Sequence, residues 1–199
     1  GQPYPELTDG VGLKKVPGMD LWRDRNGAGM RLPRLSELRD PINRTEYKDT
    51  LLGGFPEPIT FCDRVARTFR NNGARETYDV VHDNQCLGPG LLELSRYLPL
   101  VATIHHPIMR DRRIALGSTR NPFKKYGLKR WYAFIPEQVK VARRLNNIIT
   151  ISEAAATDIA DEFDIERNRI RNIGNGIDLD LFRPMPGVTR NPNMLMTTL

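Results

Sequence analysis

With 199 residues, 39% hydrophobic and 27% charged, the chain is long enough for one domain with a buried core. No apolar run approaches the ~20 residues that cross a bilayer, so no membrane-spanning helix is expected. The formal net charge is +6, with eleven basic and two acidic residues (+9) between Arg110 and Arg144 and −3 in the remainder. The opening Gly1-Gln2-Pro3-Tyr4-Pro5-Glu6 has no basic n-region followed by an apolar stretch, so no signal peptide is expected there. Two cysteines, Cys62 and Cys86, make no disulfide framework and cannot close a zinc site alone. They favour a reducing, cytoplasmic setting.

In chain order, Val11–Val16 has the pattern of a short strand, and Asp20–Pro58, rich in Arg, Pro and Gly, reads as excursion loops. Phe61, Val65 and Phe69 recur every fourth residue after Pro58 and predict a helix of roughly three turns. Tyr78–His82, Leu100–Ile104 and Ile148–Ile151 are short apolar runs expected as buried strands, with a weaker fourth at Arg169–Ile173. A short helix is expected over Gly90–Tyr97. The basic stretch reads as a longer helical region that Pro136 must break or restart, since a proline inside a helix loses a hydrogen bond. Ser152 ends a strand and can cap a helix that carries Ala156, Ile159, Ala160 and Phe163 on one face. The tail from Pro184 reads as a linker, and Met194–Leu199 as the start of a further strand.

Strands alternating with helices predict an α/β fold, a Rossmann-like parallel sheet covered by helices. All strands of such a sheet end on one edge, where ligands bind. His82, Asp83, Asn84 and Gln85 follow the first predicted strand, His105 and His106 the second, and Ser152 the third. All three histidines are thus expected on that edge. His82 has the alternative of a satisfied core histidine, and His106 that of a loop residue beside Pro107. Gly88-Pro89-Gly90 before a helix could offer backbone N–H groups to an anion but is not a G-x-G-x-x-G fingerprint. The basic stretch is interleaved with Phe123, Tyr126, Trp131, Tyr132 and Phe134. Such a surface suits phosphates or anionic head groups; the alternative is a solvated helix face. No compact nucleic-acid motif is present, and no nucleic-acid partner is expected.

Four segments together resemble the N-terminal domain of family 4 glycosyltransferases, retaining enzymes of GT-B architecture. Tyr78-Asp79-Val80-Val81-His82 is similar to a strand ending D-x-V-H, and Pro99–His105 to P-x-V-x-T-x-H. Ile148–Ser152 resembles an apolar run closed by serine. Asn175-Gly176-Ile177-Asp178 with Phe182 and Pro184 resembles N-G-I-D-x-x-x-F-x-P. The resemblance implies a partial acceptor-side Rossmann-like domain over residues 1–184. Residues 185–199 then form the linker and the start of a C-terminal domain. The opening strand, its glycine-rich loop and that C-terminal domain are expected to be missing, and the fragment alone to be inactive.

For function, the resemblance implies transfer of a sugar from a nucleotide-sugar donor to an acceptor hydroxyl with retention. It implies no metal and no cofactor beyond that co-substrate. It gives His105 the catalytic position beside the donor sugar and His82 a place on the acceptor side. Asp83, Asn84, Gln85, His106 and Arg110 are substrate-binding candidates by proximity. The basic segment 110–144 suggests a lipid or phosphorylated acceptor and peripheral contact with an anionic membrane. Two rival classes remain: a metal-dependent hydrolase built on His82, Asp83, His105 and His106, and a non-catalytic anion-binding module.

Overall fold

The computed structural model describes residues 10–22, 29–71, 78–183, 187 and 193–194. Seven α-helices and four strands follow one another among them: α1 Pro41–Leu51, α2 Glu57–Asn71, β1 Val81–Asn84, α3 Gly90–Leu94, β2 Leu100–Thr103, α4 Ile108–Gly117, α5 Pro122–Trp131, α6 Ile135–Ala142, β3 Ile148–Thr150, α7 Glu153–Phe163 and β4 Ile170–Asn172. The strands form one sheet in the order β1-β2-β3-β4, every pair parallel. Parallel neighbours need crossovers, which α3, the α4–α6 segment and α7 supply. The result is the expected Rossmann-like α/β sheet. Register sets Asn84 beside Thr103 and Thr150 beside Asn172, so a polar row closes the C-terminal edge.

The core is built from alternate strand residues and one stripe of each packed helix. Leu100 and Ala102 of β2 and Ile148 of β3 meet Val141 and Ala142 of α6, Ile159 and Phe163 of α7, and Leu91 and Leu94 of α3. Fully buried aliphatics such as Ile148, Ile159 and Leu94 each contribute about 1.5–3 kcal/mol relative to exposure. Helix α7 begins as expected: Ser152, extended at φ −157°, accepts the Ala155 N–H at 3.1 Å. It ends on Asp164 in the left-handed conformation. Pro136 sits in the first turn of α6, where its missing N–H costs nothing, and a 3-10 turn at Tyr132–Phe134 joins α5 to α6.

Four local expectations need correction. Val11–Val16 forms no strand, and Asp20–Pro58 holds helix α1, started by Pro41 and capped by Asp40, which accepts the Ile42 N–H at 2.9 Å. The face of α2 is rotated: Cys62 and Ala66 are buried, Val65 and Phe69 flank them, and Phe61 is exposed. Packing of Gly88 and Gly90 directly on Cys62 decides that rotation. The first strand is shifted two to three residues, to Val81–Asn84, because pairing with Leu100–Thr103 sets its limits while Tyr78 and Val80 stay exposed. Asp83 and Asn84 therefore lie inside the strand rather than after it, and His82 lies within it rather than at its end. The expected linker from Pro184, apart from Gly187 and Asn193, and the expected strand Met194–Leu199, apart from Met194, lie outside the described residues, as does Gly1–Asp9.

Candidate active site

The C-terminal edge gathers β1 and β2 through side chains. His105 Nε2 meets Asn84 Oδ1 at 2.8 Å, and His82 Nε2 meets Thr103 Oγ1 at 2.7 Å. An amide oxygen only accepts, so in this contact His105 Nε2 donates to Asn84. Gln85 spans the same gap: its Oε1 accepts the His105 backbone N–H at 2.7 Å, and its Nε2 donates to the His106 carbonyl at 3.1 Å. His105 is half-buried, and His82 and Asn84 are exposed. The edge therefore offers an imidazole, a hydroxyl and amide groups within one connected patch.

The remaining candidates separate from it. His106 turns to Asp111 at 3.0 Å in the first turn of α4. Arg110 crosses to Asp158 of α7 at 3.1 Å. Asp83 points inward and is buried; its Oδ2 accepts the Leu87 N–H at 3.1 Å, and the Cys86 N–H also faces it. Burial pushes the Asp83 carboxyl up from its ordinary range, and these N–H groups partly offset the shift. Each histidine thus has its own partner, so His82, His105 and His106 form no shared ligand set. Among the described residues the convergent donors are instead Cys62, Asp83 and Cys86, whose ligand atoms lie within 4.8 Å of one another. Three donors leave a tetrahedral site one short. The hydrogen bond to Cys86 and burial both push the Cys62 thiol up, while the same hydrogen bond lowers that of Cys86.

Gly88-Pro89-Gly90 is a packing device. A Cβ on Gly90 would stand 2.2 Å from the Cys62 carbonyl oxygen, and one on Gly88 2.6 Å from Cys62 Cβ. The Gly90 N–H faces the Asp63 carboxylate, so it is not open to a phosphate. Two polar side chains outside the expected set, Thr103 and Gln138, join these contacts. Gln138 is 2% exposed and donates from Nε2 to the Cys86 carbonyl at 3.0 Å and the Gln85 carbonyl at 3.5 Å. Its signal was a lone amide on the apolar face shared by Phe134, Ile135, Val141 and Ala142.

The basic segment divides. Arg110 and Arg113 pair with Asp158 and Glu162 of α7, Arg130 with Asp49, Lys140 with Glu137, and Arg143 with Asp164. Arg112, Arg120, Lys124, Lys125, Lys129 and Arg144 have no ion pair with a described residue. The aromatics divide as well: Phe134 and Ile135 are buried, Trp131 stacks on Phe55 at 4.9 Å, and Phe123 and Tyr126 stay exposed at 86% and 65%. Neither α4 nor α5 buries a residue. No described helix is long and apolar enough to cross a membrane.

The parallel sheet agrees with two comparisons. Residues 30–181 match the model of Glycosyltransferase Family 4. Over 193 residues the chain is 44% identical to an MMP alpha-(1->4)-mannosyltransferase of Mycolicibacterium hassiacum. That match covers 96% of this chain and 46% of the relative, so the chain spans about half the relative's length. A family match over residues 30–181 and a 44% identical relative over 96% of the chain place the sequence: the chain belongs to glycosyltransferase family 4.

Proposed function

We propose that the protein carrying this chain is a retaining hexosyltransferase of GT-B type, which moves mannose from a nucleotide-sugar donor to an acceptor hydroxyl. Mannose follows the relative's name. The observation that carries the reading is His105 at the C-terminal edge, fixed by Asn84 on one side and Gln85 on the other. In the proposed step the bond from sugar C1 to the donor phosphate oxygen breaks, and a bond from C1 to the acceptor oxygen forms on the same face. The acceptor's proton passes to the leaving phosphate, and a nucleoside diphosphate departs. Residues of this chain orient the reactants and meet developing charge; no resident cofactor is invoked. His82 faces the acceptor, and the transfer requires residues beyond this chain, so residues 1–199 alone are proposed to be inactive.

The same reading places the protein in the cytoplasm, peripheral to an anionic membrane that carries a lipid or phosphorylated acceptor. The support is the α4–α5 surface, where Lys124, Lys125 and Lys129, without an ion pair among the described residues, accompany exposed Phe123 and Tyr126.

The test is transfer by the longer protein, with mannose donors on each common nucleotide and product anomer read by NMR. His105→Ala should abolish most turnover without moving the unfolding midpoint. An inverted product would remove retention, and turnover only with a lipid-linked sugar would remove the nucleotide donor. A fully active His105→Ala protein would end the assignment of the site.

A further inference from the structure

We infer that Gln85 is a positioning residue, which holds the His105–His106 turn against strand β1 and is itself held by Gln138. The inference rests on the proposed role of His105. A substrate contact would leave the Gln85 amide open, but its oxygen and nitrogen are committed to the backbone of β2's exit turn, at 2.7 Å to His105 N and 3.1 Å to His106 O. Two main-chain bonds from one planar amide fix both the height and the twist of that turn. With the backbone fixed, the His105 ring meets Asn84 of the adjacent strand at 2.8 Å. Asn84 and Gln85 are sequence neighbours, so a single segment sets both the backbone and the ring of His105.

That segment is held under strain. Gln85 and Leu87 both adopt left-handed backbone angles, φ 61° and 50°, which side chains with a Cβ disfavour. Such a loop keeps its shape only where its surroundings over-determine it. Here Asp83 accepts the Leu87 N–H at 3.1 Å, and the buried Gln138 of α6 donates to the Gln85 and Cys86 carbonyls. Gln138 is the one charged or amide side chain on the buried face of α6, among apolar neighbours. A buried amide there costs stability unless it is hydrogen-bonded, so its partners identify what it is for. The chain of contacts runs from α6 through the strained loop to the histidine.

The experiment uses the longer, active protein with Gln85→Ala, Gln85→Glu and Gln138→Met, read by steady-state kinetics and by ring 15N NMR of His105. Gln85→Ala should turn a single Nε2-protonated ring into averaged tautomers and lower kcat about 10- to 100-fold, with acceptor KM unchanged. Gln85→Glu keeps an acceptor for the His105 N–H but loses the donor to His106, so its loss should be intermediate. Gln138→Met, which keeps size without hydrogen bonds, should shift the ring in the same direction; it carries the test if Gln85→Ala does not fold. Unchanged ring signals, or a raised acceptor KM with kcat preserved, would overturn the inference and make Gln85 a substrate contact. A fully active His105→Ala protein would instead remove the function of His105 while leaving the ring response to Gln85→Ala intact.

Discussion

Glu46 of α1 and Arg64 of α2 form an ion pair buried on both sides, at 3% and 6% exposure. Further bonds complete it: Glu46 accepts the Met19 N–H at 3.0 Å and the Thr60 hydroxyl at 3.2 Å, and Arg64 donates to Asn43 Oδ1 at 2.7 Å. One carboxylate thus ties the chain near Met19, helix α1 and helix α2 together. Removing one partner strands a buried charge, which typically costs about 3–5 kcal/mol. Glu46→Gln and Arg64→Met should each lower the urea midpoint strongly, and the double variant should recover part of the loss. Additive losses in a double-mutant cycle would show that the two do not act as a pair.

Thr150 makes the opposite case. Its side chain is fully buried at the end of β3, and its hydroxyl has no hydrogen-bond partner among the described residues. Thr150→Val removes an unsatisfied polar atom while keeping the branched shape, so stability should stay level or rise by about 1 kcal/mol. A clear drop in thermal midpoint would mean that the hydroxyl is bonded in solution.

Acid stability should depend on Asp40. The Arg67 guanidinium holds its carboxyl below the ordinary value of 3.8, at 2.7 and 2.8 Å, with help from the Ile42 N–H. A depressed carboxyl stabilises the folded state above its unfolded pKa, and that contribution fades as pH falls through the folded value. Asp40→Asn keeps the cap of α1 but loses the pair. Its unfolding free energy should therefore change less than the wild type's as pH drops below about 4. Identical slopes in that window would show that the pair carries no linkage.

The α4–α5 surface should bind anionic vesicles in low salt and release them as salt screens the charges. Each cation near such a surface contributes about 1 kcal/mol, and the three lysines of α5 have no acidic partner among the described residues. Replacing Lys124, Lys125 and Lys129 by Gln should abolish co-sedimentation with anionic vesicles while leaving the fold intact. Equal partitioning to neutral and anionic vesicles, or to neither, would leave a soluble acceptor as the better reading.

Much of this molecule was legible in the order of its residues. Apolar runs at Leu100–Ile104 and Ile148–Ile151, with Ser152 placed to cap α7, announce a parallel α/β sheet because local patterning and capping act over a few residues. The motif at Pro99–His105 set His105 just past a strand, and it follows the last residue of β2, Thr103, by two positions. What the sequence could not decide is set by contacts between distant segments. Pairing with β2 moved the first strand onto Asp83 and Asn84, turning Asp83 into the core and Asn84 toward His105. Close packing on Cys62 rotated α2 and accounts for Gly88 and Gly90. Gln138 meets the Gln85 loop from more than fifty residues away, and Asp158 and Glu162 neutralise arginines that look unopposed along the chain. Charge and shape complementarity across such distances has no periodic signature, so only the tertiary structure fixes it.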